Sequence, residues 1–221
     1  MSSYLMIPGA GGAGWFWHRV VPLLEAAGHD AIAIDLPGPD PAAGLPEYTE
    51  LVLAAADGRT DVVLAAQSLG GFTAPLVAAR RPLKALVLVN AMIPVPGETA
   101  GQWWDATGSQ PARVQAAKEG GYSTEVDLDT YFLHDVPPEV LEGGPGQLDE
   151  AEAAFASPCD FTAWPDIPIH AVAGRDDRFF PAEFQRRLAK DRLGIEADVL
   201  PGGHLIALAR PEPLARYLLA L

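Results

Sequence analysis

The sequence predicts an α/β chain: a mostly parallel, six-stranded sheet with helices on both faces and an inserted, mainly helical cap. Three observations carry this. Strand-like and helix-like segments alternate over most of the chain, which calls for parallel strands joined by right-handed helical crossovers. Residues 62–66 and 85–89 are unbroken apolar runs, as strands buried on both faces require. The alternation breaks once, over residues 94–165, where glycine and proline are dense, and then resumes.

Taken in order, residues 4–7 form a short apolar strand that ends at Pro8-Gly9-Ala10-Gly11-Gly12, a turn too flexible for helix or strand. Over 15–27, Phe16, Val20, Leu23, Leu24 and Ala27 recur at helical spacing, and Gly28 supplies a C-cap. A strand at 31–34 closes on Asp35-Leu36-Pro37-Gly38, and a helix follows at 47–56 beyond a proline-rich loop. The run 62–66 is a strand, 69–79 a helix and 85–89 a strand. After the interruption come a strand at 169–173, a helix at 181–190, a strand at 197–200 and a terminal helix at 206–219. The chain therefore divides into a core, 1–93 and 166–221, and a cap, 94–165. The cap carries Trp103, Trp104, Tyr122, Tyr131, Phe132, Phe155, Phe161 and Trp164. Rings at this density suit a cover that lines a pocket over the sheet; the plainer reading is that they pin the insertion to the core.

Composition narrows the function classes. Hydrophobic residues make up 49% of the 221 and charged residues 20%, a globular balance. The net charge of −14 lacks the basic face that nucleic-acid binding needs. No apolar run reaches the ~20 residues of a spanning helix, and the start, Met-Ser-Ser-Tyr-Leu-Met-Ile-Pro, does not read as a signal peptide. The single cysteine, Cys159, excludes an internal disulfide and a multi-cysteine zinc site. These features fit a cytoplasmic protein whose partner is a small-molecule substrate, without nucleic acid, membrane, metal or cofactor, and leave a homodimer open.

The sharpest local signal is Ala66-Gln67-Ser68-Leu69-Gly70-Gly71. It follows a buried strand and opens a helix, the context in which a tight turn projects a serine hydroxyl into a site. The usual first glycine of G-x-S-x-G is Ala66, which adds one methyl and leaves the turn feasible. Taken alone, a serine there is an ordinary helix N-cap. Two later segments weigh against that: Ala173-Gly174-Arg175-Asp176-Asp177-Arg178 and Pro201-Gly202-Gly203-His204-Leu205, each after a strand. A parallel sheet brings such loops to one edge. Ser68 needs His204 to take its proton, and His204 needs a carboxylate to fix its tautomer; Asp176 and Asp177 both qualify. The turn after the first strand offers the backbone N–H of Ala10, which with that of Leu69 could hold a carbonyl oxygen as it gains charge. As a phosphate cradle the turn lacks the G-x-G-x-x-G pattern and any following Gly-Lys-Ser/Thr.

Together these segments resemble the α/β-hydrolase superfamily, and within it the group of plant methyl esterases and hydroxynitrile lyases. The stretch from Pro8-Gly9 to Trp15-Phe16-Trp17 is similar to that group's H-G-x-x-x-x-x-W-x-W loop, with Pro8 in place of the histidine, and Asp35-Leu36-Pro37-Gly38 is similar to its D-L-x-G turn. The group's N-terminal hairpin has no counterpart here. The resemblance implies Ser68 as nucleophile, His204 as general base, Ala10 and Leu69 as oxyanion donors, and Asp177 rather than Asp176 as the triad acid. Of the other histidines, His18 falls in a helix, His29 in a turn and His170 in a core strand, leaving His134 of the cap as the one able to visit a pocket.

The function expected is hydrolysis of small, largely apolar esters through an acyl-enzyme on Ser68. The lyases of this group resemble one another in having threonine where this chain has Gly9, and lysine where it has Leu205, so both positions favour the esterase. A serine at the turn after the 62–66 strand excludes the aspartate-nucleophile hydrolases. The remaining alternatives are a tailoring enzyme, which the shape of the cap would decide, and a ligand-binding relative that has lost its catalysis.

Overall fold

The computed structural model describes residues 1–146 and 148–221. Its strands are β1 (Ser3–Ile7), β2 (Asp30–Ala33), β3 (Val62–Gln67), β4 (Ala85–Val89), β5 (Ile169–Gly174) and β6 (Ala197–Leu200). They form one sheet in the order β2-β1-β3-β4-β5-β6, every neighbouring pair parallel. The central strands are apolar on both sides because both faces are covered. Leu5, Ile7, Leu64, Leu86 and Leu88 turn one way, toward α2 (Leu45–Ala56), α3 (Gly70–Ala78) and α7 (Ala182–Leu193). Tyr4, Met6, Val63, Val87 and Val172 turn the other way, toward α1 (Val21–Ala26) and the C-terminal helices α8 (Ile206–Ala209) and α9 (Pro211–Leu219). Each such side chain taken fully out of water stabilises the fold by about 1.5–3 kcal/mol.

Two helices expected as single pieces are broken. The 15–27 segment is a 3-10 turn, Gly14–Trp17, followed by α1; the 206–219 segment is α8 and then α9. Proline explains both. Pro22 and Pro211 each occupy the first turn of the second piece, where the missing N–H has no helical partner to lose, whereas inside a continuous helix either ring would collide with the preceding turn. The same preference starts α2 two residues before the expected position: Pro46 sits in its first turn, and Glu47 accepts the Gly44 N–H at 2.8 Å.

Between β4 and β5 the insertion forms α4 (Ala100–Thr107), α5 (Ser109–Gly120), short turns at Asp129–Leu133 and Pro138–Val140, and α6 (Glu152–Ala156). Its first residues are tied to the core by an enclosed ion pair. Arg192 of α7 donates to both carboxylate oxygens of Glu98, and to the Ile93 carbonyl at 2.6 Å. The two side chains are only 11% and 6% exposed. Breaking such a pair leaves a buried charge, which costs about 3–5 kcal/mol, whereas removing both partners costs much less. Arg192→Ala should therefore lower the melting temperature by roughly 6–20 °C, and adding Glu98→Ala should recover part of that loss; calorimetry of the single and double variants checks both.

Candidate active site

Ser68 sits between β3 and α3 with φ at +52°, a left-handed conformation that is costly for a residue bearing a side chain. Surrounding bonds enforce it. The Ser68 carbonyl accepts the N–H groups of Gly71 (3.1 Å) and Met92 (2.9 Å), and its own N–H donates to Val89 at 3.3 Å. Close packing makes the glycines after it obligatory: a Cβ at Gly71 would lie 1.9 Å from the Met92 carbonyl oxygen. Ala66 is fully buried in β3, and the turn accommodates its methyl.

Three loops at the carboxyl edge of the sheet then meet. Ser68 Oγ lies 3.0 Å from His204 Nε2, and His204 Nδ1 lies 2.8 Å from Asp177 Oδ2. Asp177 has its remaining lone pairs filled: Oδ1 accepts the N–H groups of Phe179 (2.8 Å) and Phe180 (2.9 Å), and Oδ2 also accepts Gln185 Nε2 at 3.2 Å. Asp176 points elsewhere. It pairs with Arg175 and accepts the Gly202 N–H at 3.1 Å, and the Arg175 guanidinium holds its carboxyl below the usual carboxylate range. The structure thus places Asp177, not its neighbour, against the imidazole.

The imidazole is kept dry. Phe132, Phe179 and Phe180 all stand edge-on to it, with centroids 5.2–5.3 Å away. Ala10 and Leu69 both line the cavity that opens on Ser68, and neither backbone N–H has an acceptor among the described residues. Gly9 is forced by space: a Cβ there would lie 2.7 Å from Gln67 Oε1 and 2.9 Å from Ser68 Cβ. His134 stays out of the cavity, and among the described residues His204 is the one histidine in its lining.

Supporting residues escaped the sequence reading. Asn90, wholly buried at the end of β4 with φ at +46°, donates through Nδ2 to the carbonyls of Gly203 and His204, each at 2.9 Å. Its Oδ1 accepts the Gly174 N–H at 2.6 Å and Gln185 Nε2 at 3.3 Å. Gln67 Nε2 also reaches the His204 carbonyl, at 3.3 Å. One buried amide therefore ties the histidine loop to the acid loop. The available signal was a polar residue directly after the unbroken apolar run Ala85–Val89.

The cavity has a volume of about 330 Å³. Trp15, Phe16, Met92, Phe179 and Leu205 form its core side, while Trp104, Leu128, Phe132, Leu141, Leu148 and Phe155 come from the insertion. The insertion's aromatics thus divide between the two expected roles. Trp104 and Phe132 face the cavity; Trp103 is fully buried, donates Nε1–H to the Ile93 carbonyl at 3.1 Å, and packs on Phe180 and Phe184.

This combination, a parallel sheet whose loop-borne serine, histidine and aspartate converge under an apolar cover, is that of a serine-hydrolase class of α/β protein. The chain belongs to the alpha/beta hydrolase family, whose model matches residues 4–217. It is 26% identical to norfluorocurarine synthase 1 of a Strychnos species, covering 97% of this chain and 93% of that one. It is 24% identical to Methylesterase 1 of Arabidopsis thaliana, covering 99% of this chain and 95% of the relative. The solved structure of a pyrethroid hydrolase from Sphingobium faniae JZ-2 superposes with a TM-score of 0.78 at 25% identity, covering 99% of this chain and 96% of that one. The protein is an α/β-fold hydrolase. No helix among the described residues is long and apolar enough to cross a membrane.

The division of the two tryptophans is testable. Trp103→Ala should destabilise the protein by about 3–5 kcal/mol, seen in chemical denaturation. Trp104→Ala, which removes a half-buried ring, should cost less stability than Trp103→Ala and shift the preferred acyl-chain length in a series of p-nitrophenyl esters.

Proposed function

We propose that this protein is a carboxylesterase that hydrolyses small, neutral, largely apolar esters through an acyl-enzyme on Ser68. The observation that carries the reading is the unbroken hydrogen-bonded line from Ser68 Oγ through His204 to Asp177, opening into an apolar cavity. His204 Nε2 takes the hydroxyl proton as Ser68 Oγ attacks the ester carbonyl, and Asp177 stabilises the imidazolium that forms. The N–H groups of Ala10 and Leu69 receive the developing oxyanion. His204 then protonates the departing alcohol, and a water, activated by the same imidazole, releases the acid. The cavity lining carries no lysine, arginine, aspartate or glutamate among the described residues, so nothing there compensates a charged substrate for its lost hydration. The relatives named methylesterase and pyrethroid hydrolase support an ester substrate.

A cyanohydrin lyase is disfavoured by the same geometry. Departing cyanide needs a positive charge beside the histidine, where this chain has Leu205 in the apolar wall, and no side chain fits at Gly9. A cytoplasmic setting, with a small molecule as the partner, fits the composition.

Short p-nitrophenyl esters should turn over, and a fluorophosphonate probe should label the peptide containing Ser68. Ser68→Ala should abolish both while preserving the melting transition. No cyanide should be released from mandelonitrile above the Ser68→Ala background. Asp177→Asn should lower kcat by about 10⁴-fold by favouring the wrong imidazole tautomer, whereas Asp176→Asn, which loses a partly exposed ion pair, should cost less than about tenfold. Full turnover by Ser68→Ala, or a reversed ranking of the two aspartates, would refute these assignments.

A further inference from the structure

We propose that the insertion positions the catalytic loops as well as covering them: Glu150 fixes the oxyanion loop and Asp135 fixes the histidine loop. Each carboxylate accepts the N–H of a glycine next to a functional residue. The inference rests on the hydrolase reading above and adds two positioning residues to it.

The first contact is Gly11 N–H to Glu150 Oε2 at 2.6 Å, one residue beyond Ala10. The other oxygen of Glu150 accepts the hydroxyl of Tyr48 on α2, so the carboxylate is itself held from the core. Burial holds the Glu150 carboxyl above the ordinary carboxylate range, an effect these two donors offset only in part. The chain immediately after Glu150 is anchored as well, Ala151 N–H donating to the Gly38 carbonyl at 2.7 Å. The second contact is Gly203 N–H to Asp135 Oδ2 at 2.8 Å, one residue before His204.

Both loops need external support. The turn at 9–12 has a single internal backbone bond, Gly12 N–H to the Gly9 carbonyl at 3.1 Å, and its glycines offer no side chains to pack. An oxyanion donor works only when it is already aimed, because reorienting it during the reaction forfeits most of its effect. A hydrogen bond to a carboxylate is roughly twice as strong as one to a neutral acceptor, which suits it to holding a loop of this kind. Neither Glu150 nor Asp135 lines the cavity, so neither touches substrate. Leu148, two residues before Glu150, does line it, which couples the substrate-contacting part of the insertion to the aim of the Ala10 N–H.

The test compares Glu150→Ala, Glu150→Gln, Asp135→Ala and Asp135→Asn in the full-length enzyme. Measured on p-nitrophenyl butyrate, each alanine variant should lose up to about 100-fold in kcat, the cost of misplacing a catalytic group by about 1 Å, with KM changed less than about threefold. Glu150→Ala should weaken inhibition by an aryl trifluoromethyl ketone, which places an oxyanion on Ser68, by the same factor. The amide variants keep an acceptor oxygen and should recover most of the loss. Tyr48→Phe, which removes only the partner of Glu150, should show a smaller loss of the same kind and serves if Glu150→Ala fails to fold. Unchanged kcat, a loss confined to KM, or amide variants no better than alanine would overturn the proposal. If the parent hydrolyses no ester, the hydrolase reading fails on its own; amide hydrogen exchange at Gly11 and Gly203 then decides the clamp. Faster exchange in the alanine variants supports it, and unchanged exchange overturns it.

Discussion

The left-handed backbone of Ser68 is the constraint on which the site depends. A serine held at φ +52° costs of order 1–3 kcal/mol, and the conformation persists because β3, α3 and the turn after β4 leave no alternative. Gly71 lies so close to Met92 that strand and helix meet almost backbone to backbone. The Ser68 carbonyl is bonded from both the helix and that turn. The strain lifts the hydroxyl out of the β3 register and into the cavity.

The parallel sheet then settles where the partners of Ser68 come from. Strands that all run the same way deliver their following loops to one edge, so residues 109 and 136 positions away arrive within hydrogen-bond reach of one another and of the serine. Edge placement alone does not aim an imidazole. That work falls to a buried amide network, Asn90 with Gln185 and Gln67, which binds the carbonyls of the histidine loop, an amide of the acid loop and the carboxylate of Asp177. Buried polar groups of this kind stabilise only when every member is satisfied, and here the same requirement yields a single arrangement of the three loops.

The cover completes the chemistry by excluding water. A contiguous cluster of three rings against His204 lowers the local dielectric, which strengthens each charge-assisted contact in the site. The insertion supplies one of those rings, Phe132, together with much of the cavity wall, and it is tied to the core by the enclosed Arg192–Glu98 pair at one end and by Glu150 near the other. A segment with irregular secondary structure is held in this way through its polar side chains as much as by its apolar contacts.

The sequence by itself determined the strands and their parallel order of loops, and it singled out Ser68 and His204, whose side chains the structure brings within hydrogen-bond distance. Those depend on local pattern: an unbroken apolar run must be buried on both faces, and small residues after a serine permit only a tight turn. It also singled out Ala10 and Leu69, because both adjoin turns set by glycine, and both line the cavity. At Pro22 and Pro211 a periodic apolar pattern masks a missing N–H, and the helices it predicts as continuous are broken there. Other features were decided only by tertiary structure. Asp176 and Asp177 are chemically identical neighbours, and which one meets the imidazole depends on the turn that gives one to Arg175 and the other to His204. Trp103 and Trp104 likewise differ only in which side of α4 each occupies relative to the sheet. Asn90, Glu150 and Asp135 belong to no local pattern, since their partners lie tens of residues away and a polar side chain reveals its role only when its partner is brought beside it.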